Sequence, residues 1–323
     1  MNNENAIAAV VVTYYSQHKL LSQLISSLSR QVSQIIIINN SSDIPLSINA
    51  KSWSIPIDTI DLNKNYGIAY AQNIGIERAS LLGFQYALLM DQDSIPEEHM
   101  VEKLHKVFDI SGREQLNIIA AGPSYIDPRS KVRSYFMVSK FGFPFRYKPN
   151  KKINPLDSVN VAFLISSGTL ISIPKLLQIG GKRSNYFIDH VDTEWCLRAK
   201  SKGYALVGVH SALMEHSLGD RVKRIWFFYL RSVAYHSPLR DYYMFRNTIL
   251  MLRDTKVPLL WAIFLSLRLV QFASYFLLLS EDKKYRLQSM WLGIKHGFQG
   301  IDGEVDLTTK KCTPIPKTSI DPS

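Results

Sequence analysis

The chain is poor in cysteine and poor in acid. Only two cysteines occur in 323 residues, Cys196 and Cys312. They lie far apart and without metal-site spacing, which argues against a disulfide framework and against a cysteine zinc site. The opening, MNNENAIAAVVVTYY, has no basic n-region and passes straight into a strand-like run. No secretory signal is therefore expected, and a reducing, cytoplasmic location is the default. The dinucleotide fingerprint G-x-G-x-x-G is missing after that first run, which removes the best support for a nicotinamide-binding Rossmann domain. There is no internal repeat and no long low-complexity tract. With 46% hydrophobic and 20% charged residues the bulk is globular, long enough for one large domain or two smaller ones.

The scarcity of acid leaves a net charge of +11. The excess concentrates late: residues 221–300 carry thirteen Lys or Arg against four Asp or Glu, interleaved with Trp226, Phe227, Phe228, Tyr229, Tyr242, Tyr243, Phe245 and Trp261. Basic residues among aromatics suit either nucleic acid or an anionic membrane surface. Val257 to Leu279 is long enough to span a bilayer, but Arg268 sits near its centre. A central arginine costs about 2.5–3.5 kcal/mol on insertion scales, while each large aliphatic returns roughly 0.3–0.6 kcal/mol. An interfacial or protein-packed helix is the expected outcome.

What is present earlier reads as an α/β sheet. Ile7 to Tyr14, Ile35 to Ile38 and Ile57 to Leu62 are strand candidates, and so is Tyr86 to Met90. Gln17 to Ser29 and Gly67 to Leu82 have helical periodicity. Strand, helix, strand, strand, helix, strand predicts a mostly parallel sheet flanked by helices. Further strands are expected over Asn117 to Ala121, Val159 to Ile165 and Tyr204 to Val209. A small-residue turn is expected at Ser166 to Thr169, and a helix over Asp189 to Lys202 with Gly203 at its end.

One stretch, YALLMDQDSIPEE at 86–98, calls for chemistry. Its apolar run ends in Asp91 and Asp93, and Ser94 to Glu98 reads as a helix start. Two carboxylates on the turn at the carboxyl end of a strand repel unless a cation or hydrogen bonds offset them. That edge is also where open α/β sheets bind ligands, so the pair reads either as a turn residue and a helix cap or as a site for a divalent ion carrying a phosphate group.

Four segments taken together resemble a known family: NNSSD at 39–43, NKNYGIAYAQNIGI at 63–76, DQDS at 91–94, and IDHVDTEWCLRAKSKGY at 188–204 followed by MEHS at 214–217. In order and spacing they look like a family 2 glycosyltransferase of GT-A fold, similar to the bacterial rhamnosyltransferases of O-antigen and related surface polysaccharides. The resemblance covers roughly residues 6 to 250. It implies a GT-A catalytic unit over 1–220, a helical, basic-aromatic membrane-proximal region over 221–300 and a flexible tail over 301–323.

The resemblance also implies roles. Asp93 would contact a Mg²⁺ or Mn²⁺ ion, Asp91 would sit by the ribose and the metal, and His216 would complete the metal shell. Thr13, Tyr14, Asn39 and Asp43 would cradle the nucleobase and ribose, with Asn65, Gly67 and Asn73 lining the same pocket. Many relatives have aspartate where this chain has Asn39. Asp192 would be the general base, with Asp189 its rival, and Glu194 would pair with Arg198. The implied partners are a nucleotide sugar, foremost dTDP-L-rhamnose, a saccharide on a polyprenyl diphosphate, and the inner leaflet of the cell membrane, with the enzyme peripheral on its cytoplasmic face. No nucleic acid is expected. The alternatives are another nucleotide sugar, of the UDP-galactofuranose or UDP-hexosamine type, or a non-catalytic basic protein.

Overall fold

A computed structural model describes residues 6–305 except 43–45, 47, 49, 115, 130, 141–142, 148–157, 217–220, 228, 236 and 281. Asp43, Cys312 and most of the expected tail lie outside the described residues. In chain order the elements begin with β1 (Ile7–Thr13), α1 (His18–Leu28), β2 (Gln34–Asn39), β3 (Ile57–Asp61), α2 (Ile68–Leu81) and β4 (Tyr86–Asp91). These match the expected alternation. Strands β1, β2 and β4 are short apolar runs buried on both sheet faces, whereas β3, IDTID, lies at the edge of the sheet and stays partly exposed. Even-numbered Ala8, Val10, Val12, Ile36 and Ile38 join one core, and odd-numbered Ala9, Val11, Ile35 and Ile37 the other.

The sheet order is β3-β2-β1-β4-β10-β6-β11-β5, with β5 (Ile95–Pro96), β6 (Ile118–Ile126), β10 (Leu170–Ser172) and β11 (Ala205–Glu215), and with β9 (Ser158–Asn160) pairing on β11. Strands β1 to β4 are parallel to one another, whereas β10 runs antiparallel between β4 and β6. Helices α1 and α3 (Met100–Glu114) cover one face. Helices α2, α4 (Ile173–Ile179) and α5 (Val191–Ser201) cover the other. Gly75 lets α2 lie against β1, since a Cβ there would come within 2.2 Å of Val10 Cγ1.

Two expectations are corrected. Ser94 does not open a helix. Its hydroxyl is taken by Ser167 and His216, and Ile95–Pro96 pairs antiparallel with Met214 and Glu215, so α3 starts only at Met100. Val159 to Ile165 is not one strand, since β9 ends at Asn160. Val161, Ala162 and Leu164 remain buried, but their N–H groups go to Leu206 O, Met137 O and Cys196 Sγ instead of a continuous ladder.

Two small antiparallel pairs stand apart from the main sheet: β7 (Met137–Lys140) with β8 (Phe143–Arg146), and β12 (Arg221–Phe227) with β13 (Tyr229–Tyr235). The C-terminal extension is therefore helical only from α6 (Pro238–Asp254), through α7 (Leu259–Leu279) and α8 (Lys283–Gln299). A buried ion pair, Arg286 to Asp241 at 2.5 Å, ties α8 to α6. Helix α6 also grips the loop that leads into α5. The Asn247 amide nitrogen lies 2.7–3.0 Å from the carbonyl oxygens of Tyr186, Ile188 and Asp189, and the Arg246 guanidinium donates to those of Asn185, Tyr186 and Gly303. Buried carbonyls in a loop with three left-handed residues, Phe187, Asp189 and His190, need such partners.

Candidate active site

The carboxyl ends of β1, β2 and β4 lie side by side: Thr13 pairs with Asn39 and Val12 with Asp91. The turn beyond Asp91 is braced by Gln92, whose Oε1 accepts from the Tyr14 N–H (2.8 Å) while its Nε2 donates to the Tyr14 carbonyl (3.1 Å). The middle residue of Asp-x-Asp thus joins the two turns and leaves the Tyr14 ring half exposed.

Asp91, Asp93 and His216 come together, with one ligand-type atom of each within 4.8 Å of the others. The β6–β11 pair delivers the histidine, whose N–H reaches the Ile126 carbonyl while its ring stands edge-on to Tyr125. Ser94 holds His216 Nδ1 at 2.7 Å, and Ser94 in turn meets Ser167, which accepts the Asp91 N–H. Burial pushes the Asp91 carboxyl up to about 6. The charges of Asp93 and Asp192 add to this, and His216 and Lys182 oppose it. Two carboxylates and an imidazole, one carboxylate raised chiefly by its burial, form a donor set suited to a hard divalent cation.

Asp192 stands in a different setting, in the first turn of α5. Its Oδ2 accepts the Ser166 N–H (2.8 Å). Its Oδ1 receives the Ser166 hydroxyl and the Lys182 ammonium, the latter at 2.7 Å. Burial would raise this carboxyl, but the Lys182 charge and the Ser166 donors outweigh burial and hold it below the ordinary aspartate value. The side chain remains 30% exposed while that of Lys182 is 2% exposed, so the carboxylate, not its counter-ion, meets solvent.

The rival Asp189 is committed elsewhere, giving both oxygens to Arg240 of α6 at 2.6 Å each. Glu194 is fully buried and pairs with Arg198 as expected. It also pairs with Arg183 and accepts from Thr255, which fastens α5 to the end of α6.

The remaining expected residues divide between open and engaged. Thr13 is buried, its hydroxyl on the Ile38 carbonyl. The Asn39 amide is used within the protein, donating to Asp61 Oδ1 (2.6 Å) and accepting from the Ser41 N–H. That contact accounts for asparagine at this position, since an aspartate there would face the Asp61 carboxylate directly. Asn65 caps the turn, accepting from Gly67 N and Asn40 Nδ2. Gly67, at φ +84°, lies where a Cβ would meet the Phe187 carbonyl oxygen at 2.4 Å. Asn73 reaches neither acid cluster. It clamps the Lys182 backbone from both sides, accepting from its N–H (2.9 Å) and donating to its carbonyl (2.7 Å).

Sequence reasoning overlooked Ser166, Ser167 and Lys182. The two serines read as a plain turn, and a lysine inside GGKRS reads as solvated. Nothing in local spacing marks a lysine for burial.

The family model for glycosyl transferase family 2 matches residues 9–176. A dTDP-rhamnosyl transferase, RfbF, of Shigella flexneri is 33% identical over 300 residues, covering 92% of this chain and 96% of that protein. An uncharacterized glycosyltransferase of Bacillus subtilis (strain 168), YwdF, is 33% identical over 101 residues, 30% of this chain and 37% of that one. Among solved structures, GalNAc-T7 with UDP, GalNAc and Mn2+ aligns with a TM-score of 0.57 and 14% identity, covering 93% of this chain and 57% of that longer one. S. aureus TarS 1-349 in complex with UDP-GlcNAc aligns with a TM-score of 0.55 and 13% identity, covering 92% and 81%. At such identities these structures share the fold, a central, mostly parallel sheet flanked by helices, with this chain.

Proposed function

The chain belongs to glycosyltransferase family 2, and we propose that it transfers L-rhamnose from dTDP-L-rhamnose to a saccharide on a polyprenyl diphosphate, inverting the sugar carbon, in surface polysaccharide assembly. The similarity to RfbF over nearly the whole chain supports the rhamnosyl donor. One observation carries the mechanism: two kinds of carboxylate stand close enough to feel each other's charge, an acid pair with a histidine at the sheet edge and Asp192 of α5, kept ionised.

Asp91, Asp93 and His216 would hold Mg²⁺ or Mn²⁺. When bound, the ion supplies positive charge against the charge gathering on the departing nucleoside diphosphate. Tyr14 and the turn at 39–42 frame the base and ribose, and Thr13, Asn39, Asn65 and Gly67 shape that wall through the neighbours they hold, while Asn73 supports Lys182 instead. Asp192 accepts the proton of the acceptor hydroxyl as its oxygen bonds to the sugar carbon and the bond to the diphosphate oxygen breaks. Residues 1–220 form the catalytic unit in this reading and 221–300 the acceptor side.

The membrane assignment rests on α7 and α8. Leu259–Leu278 has a mean hydropathy of 1.5 and is long and apolar enough to cross a membrane. One side, with Trp261, Leu265 and Phe276, is buried in the protein, while Leu259, Ile263, Leu267 and Val270 are exposed. In α8, Tyr285, Trp291 and Phe298 are exposed on a helix that also carries Lys283, Lys284 and Lys295. Apolar side chains among lysines suit the surface of an anionic leaflet on the cytoplasmic side.

The deciding experiment incubates the protein and a polyprenyl-diphosphate-linked saccharide with dTDP-L-rhamnose, UDP-galactofuranose and a UDP-hexosamine in turn, with and without Mn²⁺, and follows nucleotide release, melting temperature and product anomer. Larger stabilisation or turnover with a UDP sugar replaces the donor assignment. A product that retains the donor's anomeric configuration removes inversion.

A further inference from the structure

The proposed reaction uses Asp192 but leaves its buried partner unexplained. Lys182 lies in the loop between α4 and α5, with a side chain only 2% exposed. Burying an ammonium costs several kcal/mol unless it is paired and hydrogen-bonded. Here it has an anion 2.7 Å away at Asp192 Oδ1 and a hydroxyl acceptor at Ser166 Oγ.

The surroundings are built to hold this geometry. Adjacent residues of α2 secure both sides: Gln72 Oε1 lies 3.2 Å from Ser166 Oγ, and Asn73 clamps the Lys182 backbone. Hydrogen-bond accounting then separates the two carboxylate oxygens. Oδ1 takes both the ammonium and the Ser166 hydroxyl, which fills its lone pairs, whereas Oδ2 takes a single N–H from Ser166.

We propose that Lys182 is a positioning residue for proton transfer: by occupying Oδ1 with Ser166 it fixes the Asp192 carboxylate so that Oδ2 receives the acceptor's proton. Asn73 acts one step further out by fixing Lys182. The inference rests on Asp192 being the base, and it goes beyond that reading by assigning the oxygen and the residue that orients it.

The test is a double-mutant cycle on the full chain with Lys182→Met, Asp192→Asn and the pair combined. Initial rates of sugar transfer are measured beside sugar-donor affinity and melting temperature. Lys182→Met should lower kcat by roughly 10- to 100-fold, within the range general-base assistance provides, with sugar-donor affinity held within about twofold. In the Asp192→Asn background the same change should cost less than about threefold, because Lys182 acts through a base already removed. Equal losses in both backgrounds would overturn the inference while leaving Asp192 as base. Near-normal transfer by Asp192→Asn alone would instead remove the base assignment itself. If Lys182→Met does not fold, Lys182→Gln, which keeps a polar donor without the charge, takes its place in the cycle.

Discussion

Asp189 and Arg240 form a bidentate pair, each carboxylate oxygen 2.6 Å from a guanidinium nitrogen. The pair joins the loop before α5 to helix α6 and uses up the nearest competitor of Asp192. The two aspartates should therefore respond differently to the same substitution. Asp192→Asn keeps size and a side-chain oxygen but leaves the buried Lys182 ammonium without its anion, so the melting temperature should drop while transfer falls by roughly 10²–10⁴-fold. Asp189→Asn should instead cost roughly 1–3 kcal/mol of stability, with a smaller loss of transfer. Initial rates and urea midpoints for both variants check this, and collapse of transfer only in Asp189→Asn would reassign the base.

Asp93→Ala removes the most exposed member of the acid and histidine group. Melting-temperature gains from Mn²⁺ with dTDP should disappear in this variant, and transfer with them. A variant that keeps normal transfer in EDTA places the metal, or the need for one, elsewhere.

The elevated Asp91 carboxyl sets a pH dependence. A cation competes with the proton on Asp91, so Mn²⁺ affinity should fall about tenfold per pH unit below about 6 and level off above it. The folded protein holds this proton to higher pH than the unfolded chain. In metal-free protein the group therefore costs no stability below pH 3.8, and the cost grows as pH rises toward about 6. Asp192 has the opposite sign: its folded value is lowered, so its stabilisation is present above the unfolded value and is lost as pH falls through the folded one. The acid limb of transfer should consequently move to lower pH as Mn²⁺ is raised. A limb indifferent to Mn²⁺ concentration argues against Asp91 as a ligand.

Asn39→Asp should weaken the protein. The new carboxylate would stand where an amide now donates 2.6 Å to Asp61. A lowered melting temperature is expected, with recovery in Asn39→Asp/Asp61→Asn; no recovery in the double variant would dismiss like-charge repulsion as the cause.

Trp291→Glu and Phe298→Glu should reduce co-sedimentation with anionic vesicles without changing transfer to a soluble acceptor. Salt should release the wild type as headgroup attraction is screened. Extraction by detergent alone would point to insertion of α7.

The parts legible in the sequence are those encoded over a few neighbouring residues. A short apolar run followed by a polar turn is enough to place β1, β2 and β4, and therefore Asp91 and Asp93. Ser94 misleads because its capping chemistry is diverted to His216, 122 residues away. Val159–Ile165 misleads because burial alone cannot distinguish a ladder strand from a buried crossing segment. Lys182 is invisible for the same reason: its partners arrive from α2, α5 and the Ser166 turn, and composition predicts solvent for it.

The left-handed loop at 187–190 has a temporal consequence. The carbonyls of Ile188 and Asp189 within it meet Asn247, and those of Asn185 and Tyr186 just before it meet Arg246, residues synthesised some sixty positions later. Because chains emerge from the ribosome amino end first, the edge bearing the acid pair can assemble while α6 is still unmade, whereas the approach to α5 must wait for it. With the roles proposed above, order of synthesis becomes order of competence, nucleotide capture before transfer. Nascent chains arrested before residue 238 should accordingly be cut by protease at 186–190 and become resistant once α6 has emerged; resistance before that point would separate the loop from its later partners.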